Sequence, residues 1–199
     1  MAITAEQVKQ LRDKTGAGMM ECKAALTEAN GNEDEAVTLL RKRGLAQAAK
    51  RAGRATAQGT IGTYIHLGGR IGVMVEVNCE SDFVARTDDF NNLVKEVAMH
   101  IAAADPKWVR REEVPADSIE KERQIYRAQM EGQNKPANVI DKIVEGKLGS
   151  FYSQFVLLDQ PSIRDGNVTI AQVVAAASAK TGENIQISRF TRYRVGEEV

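Results

Sequence analysis

The chain of 199 residues contains very little cysteine. Only Cys22 and Cys79 occur, and neither belongs to a Cys-x-x-Cys pair. Two cysteines are too few for a disulfide framework or a zinc site, and we expect both thiols to pack in the interior rather than to act as nucleophiles. A reducing compartment suits such a chain, so the sequence predicts a cytoplasmic protein.

Long apolar runs are missing as well. Residues 1–6 carry neither a basic segment nor an apolar core, so they do not have the pattern of a signal peptide. No apolar stretch approaches the ~20 residues that a membrane-spanning helix requires. We therefore expect no membrane segment.

The chain has no excess of charge of either sign, since Lys plus Arg and Asp plus Glu both number 27. A dedicated nucleic-acid-binding domain usually shows a basic excess, so this balance argues against one. The local exception is the run from Arg41 to Arg54, which contains six basic residues and no acid. This run has two interpretations, a solvated linker face or a patch that contacts RNA phosphates, although no aromatic residue interleaves it for base stacking.

The motifs of the common catalytic sites are also absent. The segment Lys14-Thr15-Gly16-Ala17-Gly18 has the glycines of a phosphate loop but not the GxxxxGK[ST] pattern. No GxSxG, no HExxH and no Cys/His set with zinc spacing occurs. The sequence therefore predicts no bond-making chemistry, no metal site and no cofactor.

What is present begins with three short predicted helices in residues 1–45. Thr4 and Gln7 form a capping-box pattern at the start of the first, and Gly44 is expected to end the third. Helices this short are stable only when they pack on each other, so the pattern predicts a three-helix bundle. Residues 46–58 predict a helical or flexible linker.

Residues 59–199 predict a mixed core. Thr60–His66 and Arg70–Asn78 have the period-2 pattern of strands and are joined by a glycine-containing hairpin turn. A third strand is expected from about Asn184 to Val195, with a bulge near Ser188-Arg189. The intervening segments predict helices, so the fold class is α+β, with a three-stranded antiparallel sheet packed against helices on one face.

One of these helices is predicted to begin at Asp88 or Asp89, either of which would cap it, and to end at Pro106. Its apolar residues recur at helical spacing and form one stripe, which we expect to be buried. The stripe consists of Phe90, Leu93, Val94, Val97, Ala98 and Ile101.

The most informative segment follows the second strand. The alternation of the strand ends there, and Asp82 then stands beside a large apolar ring, Phe83. Residue types alone allow two interpretations. In the first, the segment is a strand-to-helix turn in which Asp82 caps the helix and Phe83 packs inward. In the second, Phe83 is a wedge that the fold presents to a partner.

Two segments carry recognisable motifs. The first runs from Glu76 to Arg86, and the second is LRDKTGAGMMECKAAL from Leu11 to Leu26. The first resembles a signature of the elongation factor Ts family of bacterial and organellar translation, which usually has Thr at the position of Ser81, and the second is similar to the N-terminal motif of that family. The two occur in the family's order, and the resemblance extends from Val8 to about Tyr193.

The resemblance implies a guanine-nucleotide exchange factor that acts by binding and not as an enzyme. Such a factor binds the translational GTPase elongation factor Tu in its GDP form and promotes GDP release, with disturbance of the Mg²⁺ site, so that GTP can rebind during translation elongation. The pattern of three short helices in residues 1–45 separately resembles the ubiquitin-associated (UBA-like) three-helix bundle, which is a binding module. Longer relatives have two related core modules and this chain has one, which implies a homodimer.

The resemblance further assigns residues that meet the GTPase. In the core these are Ser81, Asp82, Phe83, Val84, Ala85 and Arg86, together with His66 near the hairpin turn. In the N-terminal module they are Leu11, Arg12, Met19, Met20 and Lys23.

Two other classes of function remain open on the residues themselves. The three-helix bundle also suits an adaptor for a ubiquitin-like modifier, whose binding would not need Phe83. The run from Arg41 to Arg54 also suits an RNA-binding translation factor, whose affinity would fall steeply with salt.

Overall fold

A computed structural model describes residues 3–130 and 136–197. Within these ranges the chain forms eight α-helices, two short 3₁₀ helices and three β-strands. The α-helices are α1 (Ala5–Thr15), α2 (Met19–Glu28), α3 (Glu33–Arg51), α4 (Asp82–Ala85), α5 (Asp88–Ala104), α6 (Ala116–Ala128), α7 (Ala137–Phe155) and α8 (Ile170–Thr181). The strands are β1 (Gln58–Ile65), β2 (Ile71–Cys79) and β3 (Gln186–Arg194), and the 3₁₀ helices are Arg111–Glu113 and Leu157–Asp159.

The first three helices pack around one small apolar core. Thr4 and Gln7 form the predicted capping box, in which the Gln7 amide N–H donates to the Thr4 hydroxyl oxygen (3.2 Å). Gly16 ends α1 in the left-handed conformation, with φ of 69°. The core residues are Val8, Leu11, Cys22, Ala25, Leu26, Ala29 and Ala36. The likeness of this bundle to a UBA module stays a prediction.

The prediction that Gly44 ends the third helix is wrong, because α3 continues to Arg51. A single glycine costs a helix only ~1 kcal/mol relative to alanine, and the residues that follow Gly44 are mostly good helix formers. Lys50 and Arg51 in the last turn also interact favourably with the helix dipole. About half of the predicted linker is therefore helical.

The sheet has the order β1-β2-β3 and is antiparallel, so the predicted fold class is confirmed. The backbone N–H of His66 donates to the carbonyl of Ile71 (2.9 Å) and closes the hairpin between β1 and β2. Along β2 the side chains alternate between a buried and a more exposed face, as a strand with one face on the core requires. The buried set is Val73, Val75, Val77 and Cys79.

The predicted stripe of α5 is confirmed, since all six of its residues are buried. The cap is different from the prediction. The Thr87 hydroxyl oxygen accepts from the Phe90 N–H (3.3 Å), whereas Asp88 and Asp89 occupy the first turn, where the helix dipole favours acids. The helix ends at Ala104, close to the predicted stop at Pro106.

The chain divides into two compact units, each built from separate segments. The first contains Met1–Gly62, Glu76–Lys95 and Gln172–Ile187, and the second contains Thr63–Val75, Glu96–Ala171 and Ser188–Val199. The division into a module of residues 1–45, a linker of residues 46–58 and a core of residues 59–199 stays a prediction.

The second unit contains an aromatic cluster and a pair of packed helices. Trp108, Phe151 and Phe155 pack with Val114 and Val156. Helices α6 and α7 pack on each other and are joined by exposed ion pairs such as Arg127–Asp141 (3.0 Å). No helix in the two described ranges combines the length and the apolar character needed to cross a bilayer.

Burial along β3 changes phase where the bulge was predicted. Ile187 is buried, the next two residues, Ser188 and Arg189, are both exposed, and Phe190 is again half-buried. Two consecutive exposed residues are typical of a bulge, although the bulge itself stays a prediction.

Candidate functional site

The segment after β2 forms a capped, one-turn helix. Ser81 has extended backbone angles, and its hydroxyl oxygen accepts from the Val84 N–H (3.3 Å). Ser81 is therefore the N-cap, and the prediction that Asp82 caps the helix is wrong. Asp82 instead occupies the first turn of α4, where its charge is favourable to the helix dipole.

Phe83 lies on the outer side of α4, with 78% of its surface exposed. The interpretation in which Phe83 packs inward is therefore wrong. Burying a phenylalanine ring is worth ~1.5–3 kcal/mol, which this fold forgoes at Phe83. An exposed ring on a capped turn is available to a partner, which favours the wedge interpretation.

The charged residues of the turn pair with each other at the surface. A guanidinium N–H of Arg86 donates to a carboxylate oxygen of Asp82 (2.8 Å) in an i, i+4 arrangement, with the Arg86 side chain largely exposed and the Asp82 side chain about half exposed. Exposed pairs of this kind contribute ~0.3–0.5 kcal/mol, so Asp82 can exchange Arg86 for another group at little cost. Val84 and Ala85 are half-buried and fix the inner side of α4.

A carboxylate from a distant part of the chain holds the start of this turn. The backbone N–H groups of Glu80 and Ser81 donate to Oε2 of Glu183 at 3.1 and 3.0 Å, and the Ser81 hydroxyl donates to Oε1 at 2.5 Å. Sequence reasoning missed Glu183 because it is 102 residues from Ser81 and follows a helix-ending glycine, where a glutamate is usually a surface residue.

Glu80 forms a second link to the same distant segment. Its Oε1 accepts from the backbone N–H of Asn184 (2.6 Å) and from Arg54 (3.3 Å). The hydrogen bond from Asn184, followed by the contact with Arg54, lowers the pKa of Glu80 below its ordinary value. Glu80 therefore stays ionised and remains an acceptor across the neutral pH range.

The two thiols are structural. Cys79 is buried, and its Sγ donates to the Ser81 carbonyl (3.1 Å). Burial raises the pKa of both Cys79 and Cys22, and at Cys79 the nearby Glu183 carboxylate acts in the same direction. In the part of the chain that the structure describes, no three His, Cys, Asp or Glu side chains are grouped to bind a metal ion.

His66 lies at the exposed start of the hairpin turn, and its Nδ1 is 3.1 Å from the Tyr64 hydroxyl. It belongs to the second unit, whereas Ser81 to Arg86 belong to the first. The joint role of His66 and Phe83 at one partner stays a prediction.

The N-terminal candidate residues differ in exposure. Met19 and Met20 begin α2 and expose 56% and 76% of their surface, so core packing of Met20 is excluded. Arg12 and Lys23 are exposed as well. Leu11, by contrast, is fully buried in the bundle core, so its side chain supports α1 from within and does not contact a partner directly.

Three residues of the basic run are bound within the fold itself. Arg43 pairs with Glu28, Arg54 pairs with Glu80, and a guanidinium N–H of Arg51 donates to the Ser178 carbonyl (3.2 Å). These contacts favour a structural role for the run over a patch reserved for RNA.

Comparison with known sequences agrees with the resemblance carried by the segments Leu11–Leu26 and Glu76–Arg86. The family model described as elongation factor TS matches residues 2–197. An elongation factor Ts of Fervidobacterium nodosum is 59% identical over 99% of this chain and 100% of its own length. Those of Solibacter usitatus and Koribacter versatilis are 58% and 55% identical, over 98% and 99% of this chain and 92% and 90% of their own lengths. The chain belongs to the elongation factor Ts family.

Proposed function

We propose that the chain is the guanine-nucleotide exchange factor of elongation factor Tu and acts in the cytoplasm. The observation that carries this proposal is the exposed Phe83 ring, which lies on a turn that Ser81 caps and that hydrogen bonds to Glu183 hold in place. Membership of the elongation factor Ts family supports the choice of partner.

The exchange mechanism is differential binding. GDP leaves its GTPase slowly because many phosphate contacts and Mg²⁺ hold it. A factor that binds the nucleotide-free or distorted GTPase more tightly lowers its affinity for GDP, and the coupling is reciprocal, so GTP binding then expels the factor. No bond is made or broken, and no residue needs to act as an acid or base.

Phe83 is the wedge in this mechanism. It enters the GTPase near the Mg²⁺ site, and Asp82 disturbs the charges that support the metal. A desolvated aromatic anchor contributes ~2 kcal/mol or more to binding, which corresponds to a factor of about 30 in rate or affinity. Ser81, Val84 and Ala85 hold the wedge in shape.

The N-terminal module supplies the second contact. Met19 and Met20 form an exposed, adaptable apolar surface, and Arg12 and Lys23 provide charge beside it. This contact holds the factor on the GTPase, so that binding free energy from the whole interface offsets the cost of distorting the Mg²⁺ site.

The chain forms a homodimer in this proposal, through the open face of its sheet. In the second unit, Ile65, Met74 and Tyr193 expose more than half of their surface. A second copy would cover this apolar face, and the two cores would together replace the double core of longer relatives.

Stopped-flow release of a fluorescent GDP from elongation factor Tu tests the function and the site together. We expect the unmodified protein to accelerate release and Phe83→Ala to reduce the acceleration at least about tenfold. Because the ring is exposed, Phe83→Ala should leave thermal unfolding of the factor almost unchanged.

The matched control is Ile163→Ala, which removes an apolar side chain that is also exposed but lies in the second unit. It should leave release unchanged. A lack of acceleration by the unmodified protein would refute the exchange function. Acceleration that survives Phe83→Ala would keep the function and refute the wedge.

A further inference from the structure

The turn that presents Phe83 is held only in part by its own residues. Helix α4 has four residues, far fewer than the ~12–15 that an isolated helix needs. The Phe83 ring packs on almost nothing, and the Asp82–Arg86 pair is exposed. The local interactions are the Ser81 cap, the half-buried Val84 and Ala85, and two hydrogen bonds from flanking residues. Cys79 Sγ donates to the Ser81 carbonyl (3.1 Å), and the Thr87 hydroxyl donates to the Val84 carbonyl (2.8 Å).

We propose that Glu183 is a positioning residue for nucleotide exchange, which fixes the turn from Glu80 to Ala85 and thereby the direction of the Phe83 ring. Its carboxylate accepts three hydrogen bonds from two consecutive residues, Glu80 and Ser81. Acceptors that carry a full charge form the stronger hydrogen bonds, and these three reach the turn immediately before α4. This proposal rests on the proposed function of Phe83.

Glu183 is itself fixed in place. Gly182 ends α8 with φ of 79°, and the Ser178 hydroxyl then donates to the Glu183 carbonyl. The residues that follow, Asn184 and Ile185, are buried, so the backbone enters the core directly after Glu183. The carboxylate is therefore a rigid point of attachment rather than a mobile surface group.

The attachment is reciprocal. The side chain of Glu183 binds the backbone of Glu80, and the side chain of Glu80 binds the backbone of Asn184 (2.6 Å). Asn184 in turn donates to the carbonyl of Arg54 (2.9 Å). Two chain segments that are distant in sequence are thus joined by hydrogen bonds in both directions, which resists sliding of one along the other.

Without Glu183 the turn would sample several orientations, of which a fraction presents Phe83 correctly. The apparent affinity of a partner falls by that fraction, while the complex, once formed, keeps all its contacts. Loss of Glu183 should therefore raise the factor concentration needed for half-maximal GDP release and leave the maximal rate nearly unchanged. Phe83→Ala, by contrast, should lower the maximal rate.

The first test is hydrogen exchange of the full-length factor alone, followed over residues 79–87. We expect Glu183→Ala to accelerate exchange there about tenfold, because a lost hydrogen bond to a charged group changes an opening equilibrium by at least that much. Glu183→Gln should have a smaller effect, since its amide oxygen can accept from both backbone N–H groups and its NH₂ can donate to the Ser81 hydroxyl.

The matched control is Glu113→Ala, which removes a similar hydrogen bond in the second unit, from the Val109 N–H to the Glu113 carboxylate (2.9 Å). It should leave exchange over residues 79–87 and GDP release unchanged. Equal exchange in Glu183→Ala and the unmodified protein would overturn the proposal, whatever the activity of the factor.

The second test measures fluorescent GDP release from elongation factor Tu against factor concentration. Glu183→Ala should raise the half-saturating concentration about tenfold, and Glu183→Gln should restore most of the loss. In a Phe83→Ala background the same change should alter release less than about twofold, because Glu183 acts through Phe83. An equal effect in both backgrounds would overturn the proposal.

If the unmodified protein does not accelerate release, the exchange function fails and the positioning role fails with it, while hydrogen exchange still shows whether the attachment exists.

Discussion

At the scale of single residues, His100 is a buried histidine whose protonated form is disfavoured in the folded protein. It is fully buried, and its Nε2 lies 2.9 Å from Oε1 of Gln160. The Gln160 NH₂ donates to the carbonyls of Ala104 and Gln154, so its oxygen faces the ring and Nε2 of His100 carries the hydrogen. Nδ1 has no hydrogen-bond partner among the described residues.

Burial lowers the pKa of His100 below its ordinary value of 6.5, which makes stability depend on pH. Below pH 6.5 the unfolded chain binds a proton that the folded chain still refuses, so the unfolded state is favoured as the pH falls. We expect the His100 contribution to the free energy of unfolding to be constant above neutral pH. It should decrease as the pH falls through 6.5 towards the lowered pKa of the folded state. Urea unfolding at several pH values measures it.

His100→Gln removes this titration and should flatten the pH dependence in that window, even if it lowers stability at every pH. The same pH dependence in His100→Gln and the unmodified protein would contradict the prediction.

The residues of the turn were partly predictable from sequence. The segment from Ser81 to Arg86 was identified by its motif, but whether Phe83 points inward or outward depends on the surface beneath α4, which no local pattern encodes. The participation of Glu183 was not predictable, because only the tertiary fold brings it to Ser81.

At the scale of elements, β1 and the end of β2 approach each other closely at Gly59. The backbone of Gly59 has φ of 149°, and a Cβ there would lie 2.2 Å from the Val77 carbonyl oxygen and 2.7 Å from Asn78 Cα. Both contacts are with backbone atoms, which cannot move aside without separating the strands. Only glycine fits this position.

Gly59→Ala should therefore destabilise the protein by about 2 kcal/mol or more, through backbone strain and displacement of β2. Urea unfolding of the variant at neutral pH measures the loss. Gly53→Ala is the control, because a Cβ at Gly53 meets no heavy atom within 4 Å, and it should change stability by less than about 0.5 kcal/mol. Equal stability of the two variants would contradict the close approach.

Periodicity predicted the elements better than their ends. The stripe of α5 and the alternation of β2 were predictable because burial of one face requires them. The extension of α3 past Gly44 and the capping of α5 by Thr87 were not, because the competing choices at a helix end differ by ~1 kcal/mol, which neighbouring contacts override.

At the scale of the whole molecule, the sheet has an apolar face with nothing in the described chain to cover it. In the second unit, a guanidinium N–H of Arg192 donates to the Ala102 carbonyl (3.3 Å), so Arg192 points towards α5. Tyr193, its neighbour in β3, therefore points to the opposite face. On β2, Gly72 and the exposed Met74 are two residues apart and share the face opposite to the buried Val73 and Val75. The Ile65 side chain lies against Gly72, so Ile65 is on this outer face as well.

If a second copy covers this face, charge placed there should separate the copies. We expect the unmodified protein to sediment as a dimer at micromolar concentration and the Met74→Glu/Tyr193→Glu variant to sediment as a monomer. Each carboxylate would be buried without a partner in the interface, and two of them in each copy raise the dimer dissociation constant at least about 100-fold. Sedimentation equilibrium over a range of concentrations measures this constant.

Ile163→Glu introduces one carboxylate at an exposed apolar residue of the second unit outside the strands, and it should remain dimeric. Circular dichroism of each variant confirms that the fold is intact. A monomeric unmodified protein would contradict the homodimer, and a charged variant that stays dimeric would move the interface to another surface.

The monomeric variant also separates assembly from exchange. If the two cores act together on the GTPase, this variant should slow GDP release although Phe83 is unchanged, since half of the proposed double core is then missing.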